Sequence, residues 1–244
     1  MPGTRTRPGE RVEPGTGLRF PAMSDRRAFA LFSLALASAV CVAALIARWA
    51  YGDPGAYDFL PWNLFLAWIP LVAAVAVYDR ARRGTKLLHL LPLAAIWLAF
   101  LPNAPYLLTD FVHLGSRSDA PLWFDIVLFG SYAWTGMLLG FLSIFAMQAV
   151  VRRAYGSLWS WVLVGASLAA SSFGIYLGRS LGWNSWALAT QPGALLADIW
   201  ERLADPLEYP RAVGMTVALT IVLWTGYLTL YAFAQLGATE RSPR

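Results

Sequence analysis

The sequence predicts an all-α, polytopic helical membrane protein of about six transmembrane helices, with a short amphipathic interfacial helix between the fifth and sixth. Three observations carry that expectation. Of 244 residues, 58% are apolar and 14% charged, against roughly 45–50% and about 25% in soluble domains. The apolar residues fall in long blocks, each near the roughly 20 residues a helix needs to cross a hydrocarbon core of about 30 Å. The charged residues gather between those blocks.

In chain order, residues 1–24 are rich in Pro, Gly and Arg and lack apolar periodicity. They are expected to be a disordered N-terminal tail, and Met23, followed by Ser24-Asp25-Arg26-Arg27, is an alternative translation start. A single membrane domain is expected over 25–238, followed by a short cytoplasmic tail over 239–244. Within it the six apolar stretches are Ala28 to Ala47, Leu60 to Tyr78, Leu87 to Leu107, Phe124 to Met147, Leu158 to Gly178 and Val213 to Leu236. The first is too long for a signal peptide and has no clear cleavage site, so it reads as a retained anchor. Pro102 and Pro105 break or kink the third stretch, with Pro105 suited to the first turn of a short continuation that Gly115 can end. Gly136 and Gly140 in the fourth, and Gly165, Ala169, Ala170, Gly174 and Gly178 in the fifth, form small-residue faces for close helix packing or homo-oligomer formation. After Pro192, Leu195, Leu196, Ile199, Trp200 and Leu203 recur at helical spacing opposite Asp198, Glu201 and Arg202, which marks the interfacial helix. Of the 12 Trp, Trp49, Trp62, Trp123, Trp183 and Trp186 lie near block ends, where the membrane interface favours them. Trp97, Trp134 and Trp224 lie inside blocks and are expected to pack internally.

The net charge of +5 carries an orientation signal. Lys and Arg number fourteen in the N-terminal tail, second loop, fourth loop and C-terminus, against five (Arg48, Arg117, Arg179, Arg202, Arg211) on the opposite face. Both termini of a multi-pass cell-membrane protein are therefore expected in the cytoplasm. No basic stripe is interleaved with stacking aromatics in a water-soluble segment, so no nucleic-acid partner is expected; the partner is the lipid bilayer. Cys41 cannot form an intramolecular disulfide and is expected to pack as a small hydrophobe. No phosphate loop, dinucleotide fingerprint, C-x-x-C or H-E-x-x-H is present. Of the two His, His89 lies near the start of the third stretch and His113 beyond its outer end, too far apart to share a site.

The segment from Leu101 to Asp125, LPNAPYLLTDFVHLGSRSDAPLWFD, is the most informative for chemistry. Tyr106, Asp110 and His113 are spaced by four and three residues and share one helix face. A carboxylate beside an imidazole can orient it, shift its affinity for a proton, or join it in holding a divalent metal. Asp125 opens the fourth stretch, Arg179 and Asn184 close the fifth, and Asn63 and Asn103 lie on the same side. Asn63, Asn103, Tyr106, Asp110, His113, Asp125, Arg179 and Asn184 are thus expected to line one outward-facing pocket. Interfacial capping, with Asp125 and Arg179 as a structural ion pair, is the competing reading of the same residues.

At these residues the sequence resembles a bacterial family of multipass membrane proteins known as domain of unknown function 1361. The resemblance rests on WNLFLAWIPL from Trp62, FLPNAPYLLTDFVHL from Phe100, PLWFD from Pro121 and SSFGIYLGRSLGWNSW from Ser171, in that order, within about Phe59 to Ala204. It implies a helical membrane domain and directs attention to Pro105 and Ser185 besides the residues above. Gly182 stands where it implies a basic residue. It implies no reaction. As an enzyme acting on a lipid or lipid-linked substrate, the chain would use Asp110, His113 and Asp125 for catalysis or metal binding, and Asn63, Asn103, Tyr106, Arg179, Asn184 and Ser185 for the substrate. A transporter or facilitator, or an accessory or structural subunit, is the alternative; span centres nearly free of acids and bases speak against a proton-coupled pump.

Overall fold

The computed structural model describes residues 24–115 and 119–239, with side chains over 27–115 and 119–236. The tail expected over 1–24, apart from Ser24, and the segment after Thr239 lie outside the described residues, as does Arg117. Every regular element among the described residues is a helix. Six segments are long and apolar enough to cross a membrane: Arg27–Trp49, Phe59–Arg82, Leu87–His113, Leu122–Tyr155, Ser157–Leu181 and Pro210–Leu236. The chain is a multi-pass membrane protein of the predicted class.

The first two spans are α1 (Ser24–Trp49) and α2 (Phe59–Arg82). The third is built in pieces: a one-turn 3-10 segment Leu87–Leu90, α3 (Leu91–Phe100), α4 (Asn103–Thr109) and a second 3-10 turn Asp110–His113. The prolines explain the break. Pro102 has no N–H to continue the ladder, and the chain tightens there, with the Ala104 amide donating to the Leu101 carbonyl at 3.2 Å. Pro105 sits in the first turn of α4, where its missing N–H costs nothing. Next come α5 (Leu122–Tyr155), α6 (Ser157–Leu181), the single turn α7 (Ala187–Thr190), α8 (Pro192–Ala204) and α9 (Pro210–Thr239). The spans overrun the apolar blocks of the sequence because a helix continues into the interface with polar residues; α5 runs eight residues past Met147, through Arg152 and Arg153.

The central helix is α5, which packs on α1, α2, α4 and α6; α9 packs on α6. One core cluster joins α1, α2, α4 and α5 around Leu45, Leu60, Leu107 and Phe129, and includes Cys41. A second joins α2, α3, α5, α6 and α9 around Trp97, Ile144, Leu168 and Leu223. The outer faces are apolar too: Phe29, Phe32, Leu36, Val40 and Ile46 of α1 are all exposed, as lipid-facing residues must be. Trp134 belongs with them, at 64% exposed, and its expected internal packing is corrected: an aromatic ring is equally at home against lipid tails, so position within a block does not decide its direction.

The small-residue faces meet other helices of the same chain. A Cβ at Gly136 would lie 2.4 Å from the Ala104 carbonyl oxygen, and one at Gly174 would lie 2.6 Å from Pro102 Cγ. The broken third span is therefore seated between α5 and α6 by the absence of side chains on both. The α8 helix forms as expected. Leu195 is buried against the bundle while Leu196, Trp200 and Leu203 stay exposed, so its apolar residues serve two surfaces, protein on one flank and membrane interface on the other.

Candidate functional site

Alternating spans bring the C-terminal ends of α1, the third span and α6 to the same end of the bundle as the N-terminal ends of α2, α5 and α9. The opposite end holds the basic loops. At the first end, a cavity of about 650 Å³ lies between α2, α3, α4, α6, the segment after α6, and α8. Its placement follows from local chemistry. The break at Pro102 turns α4 across α6, and Gly178 of α6 allows the Tyr106 ring within 3.1 Å of its would-be Cβ. Gly182 adopts φ +75° to end α6, a left-handed conformation that glycine accepts without strain. A basic side chain at this position would make that turn costly. The following segment then folds back over the cavity: Ser185 Oγ accepts from Asn103 Nδ2 at 2.8 Å and donates to the Ala99 carbonyl at 3.1 Å. Trp183 Nε1 donates to Asp198 of α8 at 2.6 Å.

Asn63, Asn103, Tyr106, Asp110, His113, Arg179, Asn184 and Ser185 all line this cavity. The centre of the group is Arg179. Its Nε and one terminal nitrogen donate to Thr109 Oγ1 at 3.1 and 2.9 Å, and that nitrogen also donates to Asp110. The other terminal nitrogen lies 3.2 Å from His113 Nε2. The guanidinium stacks 4.3 Å from the centroid of Tyr106. Asp110 is buried and takes a second bond from Asn63 Nδ2 at 3.1 Å, whereas the Arg179 side chain is 20% exposed. Facing these groups are Phe59, Trp62, Trp183, Trp186, Leu195 and Ile199, so the cavity has one polar wall and several apolar ones.

Asp125 does not line this cavity. It is 1% exposed and accepts from Arg48 Nε at 2.6 Å and from the Tyr57 hydroxyl at 3.0 Å. Arg48, fully buried, also forks onto Asp119 at 2.9 and 3.0 Å. Asp119 lies in the segment before α5, and the adjoining guanidinium holds its carboxyl down at about 2. Tyr57 packs edge-on against Phe129 at 4.9 Å and has φ 61°, a conformation that a tyrosine keeps only where its surroundings impose it. The ion pair considered between Asp125 and Arg179 is thus replaced by two, Asp125 with Arg48 and Asp110 with Arg179.

Four participants escaped the sequence reading: Arg48, Asp119, Thr109 and Tyr57. Arg48 carried a signal: an arginine closing an apolar helix on the face poor in basic residues needs a partner when buried. Thr109 and Tyr57 carried none, since a helical hydroxyl usually bonds its own backbone, as Thr109 also does to the Tyr106 carbonyl. For a metal, the donors fit poorly: among the described residues no three His, Cys, Asp or Glu side chains come together, and the Arg179 cation already faces both Asp110 and His113.

No curated protein and no solved structure matches the chain. The family described as protein of unknown function DUF1361 matches residues 62–225, which takes in four of the six spans, the first half of α9, which is the sixth, and all eight polar residues of the cavity; the chain belongs to that family.

Proposed function

We propose that the chain is a membrane enzyme that takes the polar head of a lipid or lipid-linked molecule into this cavity, with His113 as proton acceptor. One observation carries the reading: a partly exposed arginine and a histidine share one cavity whose other walls are aromatic and aliphatic. Such a cavity matches an amphiphile, with polar contacts for a head and apolar surface for the adjoining chain. The fourteen-to-five charge asymmetry supports cytoplasmic termini and an outward-facing cavity, and the family resemblance supports a bacterial inner membrane.

The chemistry follows from donor counting. A guanidinium nitrogen can only donate, so His113 Nε2 carries a lone pair toward Arg179 and the ring proton sits on Nδ1. An incoming oxygen that takes the Arg179 N–H leaves Nε2 facing the substrate as a base for its hydroxyl or for a water. Asp110, committed to Arg179 and Asn63, orients the guanidinium and does not accept that proton. Thr109 fixes the other edge of the fork.

The test is conversion. Purified protein in bilayer discs is incubated with a total polar lipid extract of a bacterial host, and products are followed by mass spectrometry. A lipid species that disappears with wild type and persists with His113→Ala, at unchanged melting temperature, supports the enzyme. Binding without conversion points to transport or an accessory role, and neither binding nor conversion refutes a lipid site.

A further inference from the structure

A second cavity, of about 620 Å³, lies at the opposite end of the bundle between α1 and α2. It shares no residue with the first and is independent of the function proposed above. The groove exists because α1 leans on α5 rather than on α2, leaving the two helices bridged by long side chains. At the basic end Arg27 forks onto Asp79 at 2.5 and 2.8 Å; deeper in, Trp68 Nε1 donates to Ser38 Oγ at 3.0 Å. Between these bridges the walls are Leu31, Ala35, Val72, Val75 and Ala76. At the rim stand Arg80, which donates to the Ala76 carbonyl at 3.4 Å, and Arg83, while the one carboxylate lining the groove, Asp79, is already held by Arg27.

We propose that this groove binds one anionic phospholipid, its phosphate at Arg80 and Arg83 and one acyl chain laid along Leu31, Val72 and Ala76. Three features favour that occupant. Among the described residues the rim carries two arginines, Arg80 and Arg83, besides the one that Asp79 pairs with, unlike the first cavity, where Arg179 faces Asp110. The groove runs from Asp79 to Trp68, about 16 Å at 1.5 Å per residue, close to the half-thickness of about 15 Å that one leaflet's chains occupy. And the Trp68–Ser38 bridge closes it at that depth, which would obstruct a helix crossing the whole bilayer but suits a chain ending at the midplane.

The experiment is native mass spectrometry of the full chain released from discs of equal phosphatidylglycerol and phosphatidylcholine with identical acyl chains. Wild type should retain one phosphatidylglycerol in preference to phosphatidylcholine. The preference should fall roughly fivefold for each arginine removed in Arg80→Ala and Arg83→Ala, and survive in the Arg80→Lys/Arg83→Lys variant. Ala76→Trp, which fills the groove and leaves every charge in place, should abolish retention of that lipid at unchanged melting temperature. Equal retention of the two lipids by wild type overturns the proposal. So does an unchanged preference in the arginine-to-alanine variants, or in Ala76→Trp, where it would show that surface charge alone attracts the lipid.

Discussion

Arg48 and Arg179 close different spans at the same end of the bundle, and each reaches a carboxylate that is 1% exposed. Their surroundings differ. Arg48 is sealed, with two carboxylates sharing its guanidinium and Tyr57 holding the inner one; it ties α1 to α5 and to the segment before it. Arg179 has one carboxylate, a histidine, a threonine and a cavity in front of it. The comparison teaches that an ion pair at a helix end becomes a candidate site through what adjoins it: a guanidinium fully enclosed between two carboxylates fixes the fold, whereas one that borders a cavity and is partly exposed can meet a ligand.

The largest expected effect breaks the sealed centre. Arg48→Ala leaves Asp125 buried without a cation, and loss of one partner of a buried pair costs about 3–5 kcal/mol; thermal unfolding in detergent should show the deepest fall of any single substitution here. Next comes Gly136→Ala, whose Cβ would meet the Ala104 carbonyl. Overpacking of this kind costs about 1–3 kcal/mol, and because α4 must move, the change should also disturb Tyr106, Thr109 and Asp110, detectable as altered accessibility of a cysteine placed at Asn103. Arg179→Gln should cost less stability than Arg48→Ala, because the cavity lets water reach the freed groups, and Asp110→Asn added to it should restore part of the loss; a fall as deep as that of Arg48→Ala would make the two centres alike.

The smallest effect is a pH dependence confined to the sealed centre. Asp119 is held at about 2 against an ordinary value of 3.8, so the unfolded chain binds its proton more readily than the folded one. Its contribution is present above about pH 4 and is lost as pH falls toward 2. Melting curves of wild type and Asp119→Asn should converge over that window and differ by a constant amount above it.

Much of this architecture is written in the chain at short range. Six spans follow from apolar length, the break in the third from Pro102 and Pro105, and the common face of Tyr106, Asp110 and His113 from their spacing. What sequence spacing does not contain is the rotation of one helix against another. Asp110 lies at the end of the third span and Asp125 at the start of the fourth, both at the same end of the bundle, and the seating of α4 against Gly136 and Gly174 helps decide that Arg179 reaches the first and Arg48 the second. Trp134 was illegible for the same reason, since lipid and protein interior offer an aromatic ring the same apolar contact.

The central claim is that the Arg179 centre receives a ligand and the Arg48 centre does not. Its most direct test is to quantify, by mass spectrometry, the lipids that stay bound to purified wild type, Arg179→Gln and Asp119→Asn. A species present in wild type and Asp119→Asn but missing from a folded Arg179→Gln is the predicted result; the same bound lipids in all three would contradict it.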